Sequence, residues 1–399
     1  MRSLQPPRNR IGHIDSIRGI AALMVAWMHC SAILASMGTS QSVGSLLYVI
    51  PHQLDFGRVG VIAFFAISGF VICPSLKGSG VSGAGGFVIS RFFRLYPAFW
   101  LAMACAILIM YVLPGREIDT GQVLGNIPML YSFFDVQPLQ GLYWTLEVEL
   151  VFYCLCLGVF LLGWLHKPLV LFAICLSLLL LQAVINANPA MSETIITTLN
   201  RSWNRMPWHL AIMFWGGLFR IWYDDRHGVI DFGRLRIPKA LPVAVVLLLI
   251  LRQPLMSLFT SLSSGFEWVN WGMLAYLWGM LFFLVGALYV KLNNRVFVWL
   301  GAISYSLYLL HPLAARLLKY GITHYFPQYA EMPLGVTLAA SLLLAVMMSA
   351  CVYYCVEKPS ISLGRSLQKK WLSYREDNGR RLLPRYHGLS GARRYFTAN

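Results

Sequence analysis

The chain has 399 residues, of which 58% are hydrophobic and only 12% are charged. Soluble domains carry about 25% charged residues, so this composition excludes a soluble globular protein and indicates one that crosses a membrane several times. The net charge of +16 would suit nucleic-acid binding in a soluble protein. Here basic residues that flank membrane segments account for it, and no nucleic-acid motif is present.

Ten segments are long and apolar enough to span a bilayer, which predicts an all-α, polytopic membrane protein. The seventh is short and lies among three prolines, so its ends could fall several residues either way. In chain order the predicted spans are Ile17 to Met37, Arg58 to Leu76, Phe92 to Leu113, Leu142 to Trp164, Pro168 to Asn186, Pro207 to Tyr223, Ala240 to Leu251, Trp268 to Val290, Val298 to Leu318, and Leu334 to Val356.

Ten spans put both termini on one side of the membrane, and basic residues favour the cytoplasmic side. The first span is about 21 residues long, so we interpret it as uncleaved rather than as a secretory signal. Both termini are therefore predicted to be cytoplasmic. Only seven of the 32 lysines and arginines fall on the opposite side: Arg58, Arg116, Arg201, Arg205, Arg252, Arg316 and Lys319.

Two polar regions accompany the predicted bundle. Residues 78–86 are rich in glycine and serine and lack the lysine of a P-loop, so we expect a flexible cytoplasmic loop. Residues 360–399 form a basic tail, also expected to be flexible and cytoplasmic, and too short for a sizeable catalytic domain. Any chemistry should then lie in the membrane domain, residues 1–359. The eight cysteines include no CxxC pair and are interpreted as buried apolar residues.

Arg18 and His29 lie eleven residues apart on the first span. Eleven residues rise about 16.5 Å and return to within about 20° of the starting direction, so both side chains share one helix face. One ligand with an anionic head and the reach of an acyl-pantetheine arm could touch both. A basic anchor and a histidine packed against a neighbouring helix would give the same pattern, and both interpretations stay open.

Two histidines and a carboxylate are predicted at a similar depth in the membrane. His29 lies about 18 Å and His311 about 20 Å from the cytoplasmic ends of their spans, and Glu149 enters from the other side to a matching level. These three could line one polar chamber, in which a carboxylate supports a histidine that activates a hydroxyl. Glu147 lies about 200° around the helix from Glu149, so only one of them should face it. Interhelical hydrogen bonds that merely fix packing are the alternative.

Arg91 and Arg94 lie one helical turn apart at the cytoplasmic start of the third span. Adjacent guanidinium groups there could bind phosphates on the same side as Arg18. Positive-inside anchoring would also explain them.

Six sequence blocks together resemble the bacterial acyltransferase-3 family of integral-membrane O-acyltransferases. The first span, IDSIRGIAALMVAWMHC, carries the family's arginine, ten residues, histidine signature as Arg18 and His29, and RFFRLYPAFW carries its RxxR signature. The other blocks follow in family order: FFAISGF (64–70), WTLEVELVFY (144–153, with Glu149 at the acidic position), SYSLYLLHP (304–312) and EKP (357–359).

The resemblance implies a ten-helix fold that moves an acyl group, usually acetyl, from cytoplasmic acyl-CoA to a hydroxyl of a cell-surface or lipid-linked glycan. It implies a bacterial inner membrane, acetyl-CoA as co-substrate and no metal. His29 would be the essential histidine, acting as a base or as an acyl carrier, with Glu149 and His311 as further catalytic residues. Arg18, Arg91 and Arg94 would bind the acyl-CoA end.

Two other functions remain open from the residues alone. In a glycan transporter or flippase, His29, Glu149 and His311 would form a proton relay. A membrane sensor would use the basic tail for signalling.

Overall fold

The computed structural model describes residues 11–37, 45–78, 80–199, 203–233, 235–265 and 269–382. Helices dominate these ranges, where the one sheet is an antiparallel hairpin of β1 (Val229–Phe232) and β2 (Leu235–Pro238). The helices are α1 (Gly12–Ala35), α2 (Leu46–Gln53), α3 (Phe56–Ile72), α4 (Gly80–Ile107), α5 (Thr120–Asn126), α6 (Trp144–Leu161), α7 (Pro168–Ala187), α8 (Pro189–Thr198), α9 (Met206–Asp224), α10 (Ala240–Ser263), α11 (Trp271–Val285), α12 (Arg295–Tyr325), α13 (Leu334–Val352) and α14 (Lys358–Leu382).

The all-α, polytopic prediction is confirmed. Within the described ranges, nine helical stretches are long and apolar enough to cross a membrane, and they coincide with nine of the predicted spans. The remaining predicted span, Pro207 to Tyr223, is α9, which contains His209, Arg220 and three tryptophans and is not among those nine stretches. Its residues 206–219 are all buried, so other helices rather than lipid surround most of α9.

The centre of the bundle is the contact between α1 and α12, the most extensive of any pair of elements in the described chain. Gly19 lies against Gly301, and ten residues further along each helix His29 lies against His311. The constant offset shows that the helices run parallel and in register. A Cβ atom on Gly301 would collide with the carbonyl oxygen of Asp15, so only glycine permits this approach of the two backbones.

A second close contact joins α9 to α3. A Cβ atom on Gly69 would collide with the carbonyl oxygen of Met213, and one on Gly216 with that of Ala66. Glycine at both positions lets the two backbones touch, as small residues do in membrane helix pairs. Helix α9 also packs extensively against α7, so it is held from two sides.

The seventh predicted span is longer than the sequence indicated. Helix α10 begins at Ala240, as predicted, but continues to Ser263 with Pro254 inside it. The predicted end at Leu251 is therefore wrong, because the proline is accommodated within the helix.

The segment expected as a loop is helical from Gly80 on, and so is the described part of the tail. Helix α4 begins at Gly80, and α14 packs along it: Trp371 Nε1 donates to the carbonyl oxygen of Ser82 at 3.1 Å. A Cβ atom on Gly85 would approach the Trp371 ring to 2.6 Å, so the glycines provide a flat docking face rather than flexibility. The expectation of a loop at residues 80–86 is thus wrong. Residues 360–382 are helical, residues 383–399 lie outside the described residues, and the flexibility of the tail stays a prediction.

Candidate active site

Helices α1 and α12 bring His29 and His311 into direct contact. His29 Nδ1 lies 3.0 Å from His311 Nε2, and the two rings are nearly parallel at 10°. His311 is completely buried, whereas His29 keeps partial exposure. The similar depths predicted for these two residues correspond to a real hydrogen bond.

The hydrogen bonds of His311 assign the protons of both rings. His311 Nδ1 lies 3.0 Å from the carbonyl oxygen of Leu307, which can only accept, so this nitrogen carries the proton. In neutral His311, Nε2 then has the lone pair and accepts from His29 Nδ1. His29 Nε2 is consequently left unprotonated, which is the state that a general base or nucleophile requires.

Glu149 does not stand beside this histidine pair. Its Oε1 accepts from Tyr153 OH at 2.6 Å and lies 3.5 Å from Ser68 Oγ. The expectation that Glu149 supports the His29 ring is wrong, because no hydrogen bond of the described residues joins it to either histidine, and His311 holds that position instead. A catalytic role for Glu149 stays a prediction.

Glu147 and Glu149 face different partners, as the helical geometry indicated. Both oxygens of Glu147 are bonded: Oε1 accepts from the Ser132 N–H at 3.1 Å, and Oε2 accepts from Ser132 Oγ at 2.8 Å and Trp203 Nε1 at 3.2 Å. Glu147 is fully buried. It ties α6 to two connecting segments, which is a structural role.

The three arginines gather away from the histidine pair, toward the end of the bundle where α1 begins. Arg18 lies 3.9 Å from Asp15 and is within electrostatic reach of Arg94 and Glu149. Arg91 Nη2 donates to Ser75 Oγ at 3.2 Å, and its guanidinium lies 5.8 Å from the centre of the Tyr153 ring, whose hydroxyl bonds to Glu149. We call Arg18, Arg91 and Arg94 the arginine cluster.

The members of the arginine cluster differ in how their charge is compensated. Arg94 pairs with Glu357 at 3.2 Å, and the other oxygen of Glu357 accepts from Ser306 Oγ at 2.6 Å. Arg91 has no carboxylate partner in the described part of the chain, and its Nε is buried without a hydrogen bond. An incoming phosphate would therefore meet Arg91 as an uncompensated cation and Arg94 as one already neutralised.

Glu357 is a site residue whose role sequence reasoning did not assign. It is buried, with 1% of its surface exposed, at the end of the last predicted span. The available signal was a carboxylate directly following the apolar run YYCV, where a charge is costly without a partner. The sequence could not name that partner, because Arg94 lies far away along the chain.

Fold and site together define a multi-pass membrane protein with a buried histidine pair and a separate basic cluster. The chain belongs to the acyltransferase-3 family, whose acyltransferase-domain model matches residues 11–356.

A search of known proteins adds one relative. Nodulation protein 10 from Rhizobium leguminosarum bv. viciae is 30% identical over 121 residues, an alignment that covers 25% of this chain and 32% of that protein. The chain thus matches about a third of the length of this curated relative. No solved structure matches the chain.

Proposed function

We propose that the protein transfers an acyl group, most simply acetyl, from acyl-CoA on the cytoplasmic side to a hydroxyl of a cell-surface or lipid-linked glycan on the other side. Because the proposed donor is cytoplasmic, we propose that in a bacterial cell the protein lies in the inner membrane. The observation that carries the proposal is the hydrogen bond from His29 Nδ1 to His311, which leaves His29 Nε2 unprotonated.

His29 acts as general base in this proposal. As the acceptor oxygen attacks the thioester carbonyl carbon, the hydroxyl proton passes to His29 Nε2. His311 accepts a hydrogen bond from Nδ1 and so holds the ring in the required tautomer and orientation. The tetrahedral intermediate then breaks its C–S bond, and the departing CoA thiolate takes the proton back from His29.

The arginine cluster is the proposed binding site for the CoA phosphates. Arg18 and His29 are eleven residues apart on α1, about 16.5 Å along one helix face. An extended pantetheine arm has a comparable length, so phosphates at the cluster would leave the thioester near His29. Arg91, which has no carboxylate partner among the described residues, is the member that should contribute most to this binding.

Transfer of radiolabelled acetyl from acetyl-CoA in membrane vesicles tests the function. We expect label in a glycan or lipid-linked fraction with the wild-type protein and none above background with His29→Ala. His166→Ala is the matched control, because His166 also bonds to a carbonyl oxygen, that of Leu76 at 3.0 Å, but lies outside the site. Absence of acyl transfer by folded wild-type protein would contradict the proposal and favour transport.

Mass spectrometry of the intact protein after incubation with acetyl-CoA alone tests the order of events. Direct transfer predicts no covalent adduct without acceptor. An acetyl adduct that disappears in His29→Ala would instead make His29 the acyl carrier.

A further inference from the structure

Arg316 is a largely buried cation on α12, five residues beyond His311 and therefore about 7.5 Å further along the helix axis. Its Nη1 atom is buried without a hydrogen bond. No ion pair to Arg316 occurs among the residues that the structure describes. A charged side chain at this depth is costly, and it usually has a partner that serves function.

In the part of the chain that the structure describes, the surroundings of Arg316 include the histidine pair, and no salt bridge there involves this arginine. Arg316 is within electrostatic reach of His29 and His311, and also of Cys30 and Tyr111. Cys30 directly follows His29 in α1 and contacts the carbonyl oxygen of His311 at 3.5 Å. The guanidinium thus lies beside the proposed reaction centre, on the side away from the arginine cluster.

Two other cations on the same side of the protein have partners. Arg58 pairs with Asp55 at 2.9 Å, and Lys319, one turn beyond Arg316, donates to Ser36 Oγ at 2.7 Å. Arg316 differs from them in having a buried guanidinium nitrogen without a hydrogen bond and in being unpaired within the described chain. Positive charge remains available there for a ligand that enters from the acceptor side.

We propose that Arg316 binds an anionic group of the acceptor, a carboxylate or a phosphate, and thereby places a neighbouring hydroxyl at His29 Nε2. The inference rests on the proposed function and narrows its substrate class to acidic or phosphate-linked saccharides. A guanidinium suits this role because its planar donors bind either anion in a bidentate manner. Binding would neutralise the buried charge and fix the orientation of the acceptor hydroxyl.

The wild-type product gives a first test that needs no variant. Endogenous acceptor in native membranes is labelled with radioactive acetyl-CoA, and the labelled product is extracted intact, with any linking phosphate still attached, and separated by anion exchange. We expect the labelled product to be retained on the column. A product that elutes as a neutral molecule would overturn the inference while leaving acyl transfer intact.

The second test separates acceptor binding from donor binding with Arg316→Gln, Arg316→Lys and the control Lys319→Gln. With the extracted endogenous acceptor fraction as probe, loss of a charged hydrogen bond should raise the acceptor KM of Arg316→Gln about tenfold or more. The acetyl-CoA KM should not change, which also shows that the variant is folded. The acceptor KM of Arg316→Lys should lie between those of the wild type and Arg316→Gln, and the acceptor KM of Lys319→Gln should equal that of the wild type.

Several results would contradict the inference. An unchanged acceptor KM in Arg316→Gln would remove Arg316 from the acceptor site, and if that variant does not fold, an unchanged value in Arg316→Lys decides in the same way. Vesicles of phosphatidylcholine with and without phosphatidylglycerol distinguish the acceptor from bulk lipid. A higher acceptor KM in the anionic vesicles would show that Arg316 binds lipid phosphate instead. Absence of acetyl transfer by the wild type would refute the proposed function itself.

Discussion

Replacing His311 by alanine removes the group that accepts the His29 Nδ1 proton across 3.0 Å. The His29 ring can then rotate or move its proton to Nε2, and either change disables it as a base. An unsatisfied buried donor costs about 1–3 kcal/mol, and about 1.36 kcal/mol is a factor of ten in rate. We therefore expect the kcat for acetyl transfer to fall about 5- to 150-fold in His311→Ala.

A comparison with other variants separates positioning from direct catalysis. His29→Ala removes the base itself and should lower kcat about 10²- to 10⁴-fold. Because His311 is proposed to act through His29, the double variant should be no slower than His29→Ala. His311→Gln should retain much of the activity, since its amide oxygen can replace Nε2 as the acceptor.

Initial rates with saturating acetyl-CoA measure these effects, and thermal unfolding in detergent shows whether each variant is folded. Wild-type kcat in a folded His311→Ala would refute the reasoning. So would a double variant in which the two losses multiply, because the two histidines would then act independently.

Three further predictions concern the surroundings of the site. Glu357→Gln leaves the charge of Arg94 uncompensated, so the acetyl-CoA KM should fall severalfold while the melting temperature drops; an unchanged or higher KM would contradict the role of Glu357 as a neutralising partner. Glu147→Gln should lower the free energy of unfolding by about 1–3 kcal/mol, measured by thermal unfolding, and should leave the acyl-CoA kinetics unchanged. A loss of kcat without a loss of stability would refute its structural role. Trp371→Ala should release α14 from α4 and speed tryptic cleavage at its exposed basic residues; wild-type protection would show that the indole is not the anchor.

Depth in the membrane could be predicted from sequence, but the neighbours of a helix could not. A rise of 1.5 Å per residue was enough to place His29 and His311 at one level, and they do meet. The same calculation placed Glu149 with them, yet Glu149 faces Tyr153 and Ser68. Residue spacing determines height along an axis, whereas the packing order of the helices decides which side chains share a space.

The structural role of the glycines was the hardest feature to predict from this sequence. Its absence of a side chain suggested flexibility for residues 78–86, but Gly85 serves as a surface on which Trp371 rests. Gly19 and Gly301 set the spacing of the two helices that carry the histidines, and no local pattern relates positions so far apart in the chain. A glycine's role in packing can be assigned only when the residue that lies against it is known.

The buried, relatively polar helix α9 has a consequence for biosynthesis. Other helices rather than lipid surround most of its length, and its partners α3 and α7 both precede it in the chain. We infer that α9 enters the bilayer as an addition to helices already inserted, through the contact of Gly69 with Met213. Because glycine at position 69 lets the two backbones touch, we expect a bulky residue there to disturb the seating of α9 against α3 and, through it, the assembly of the bundle.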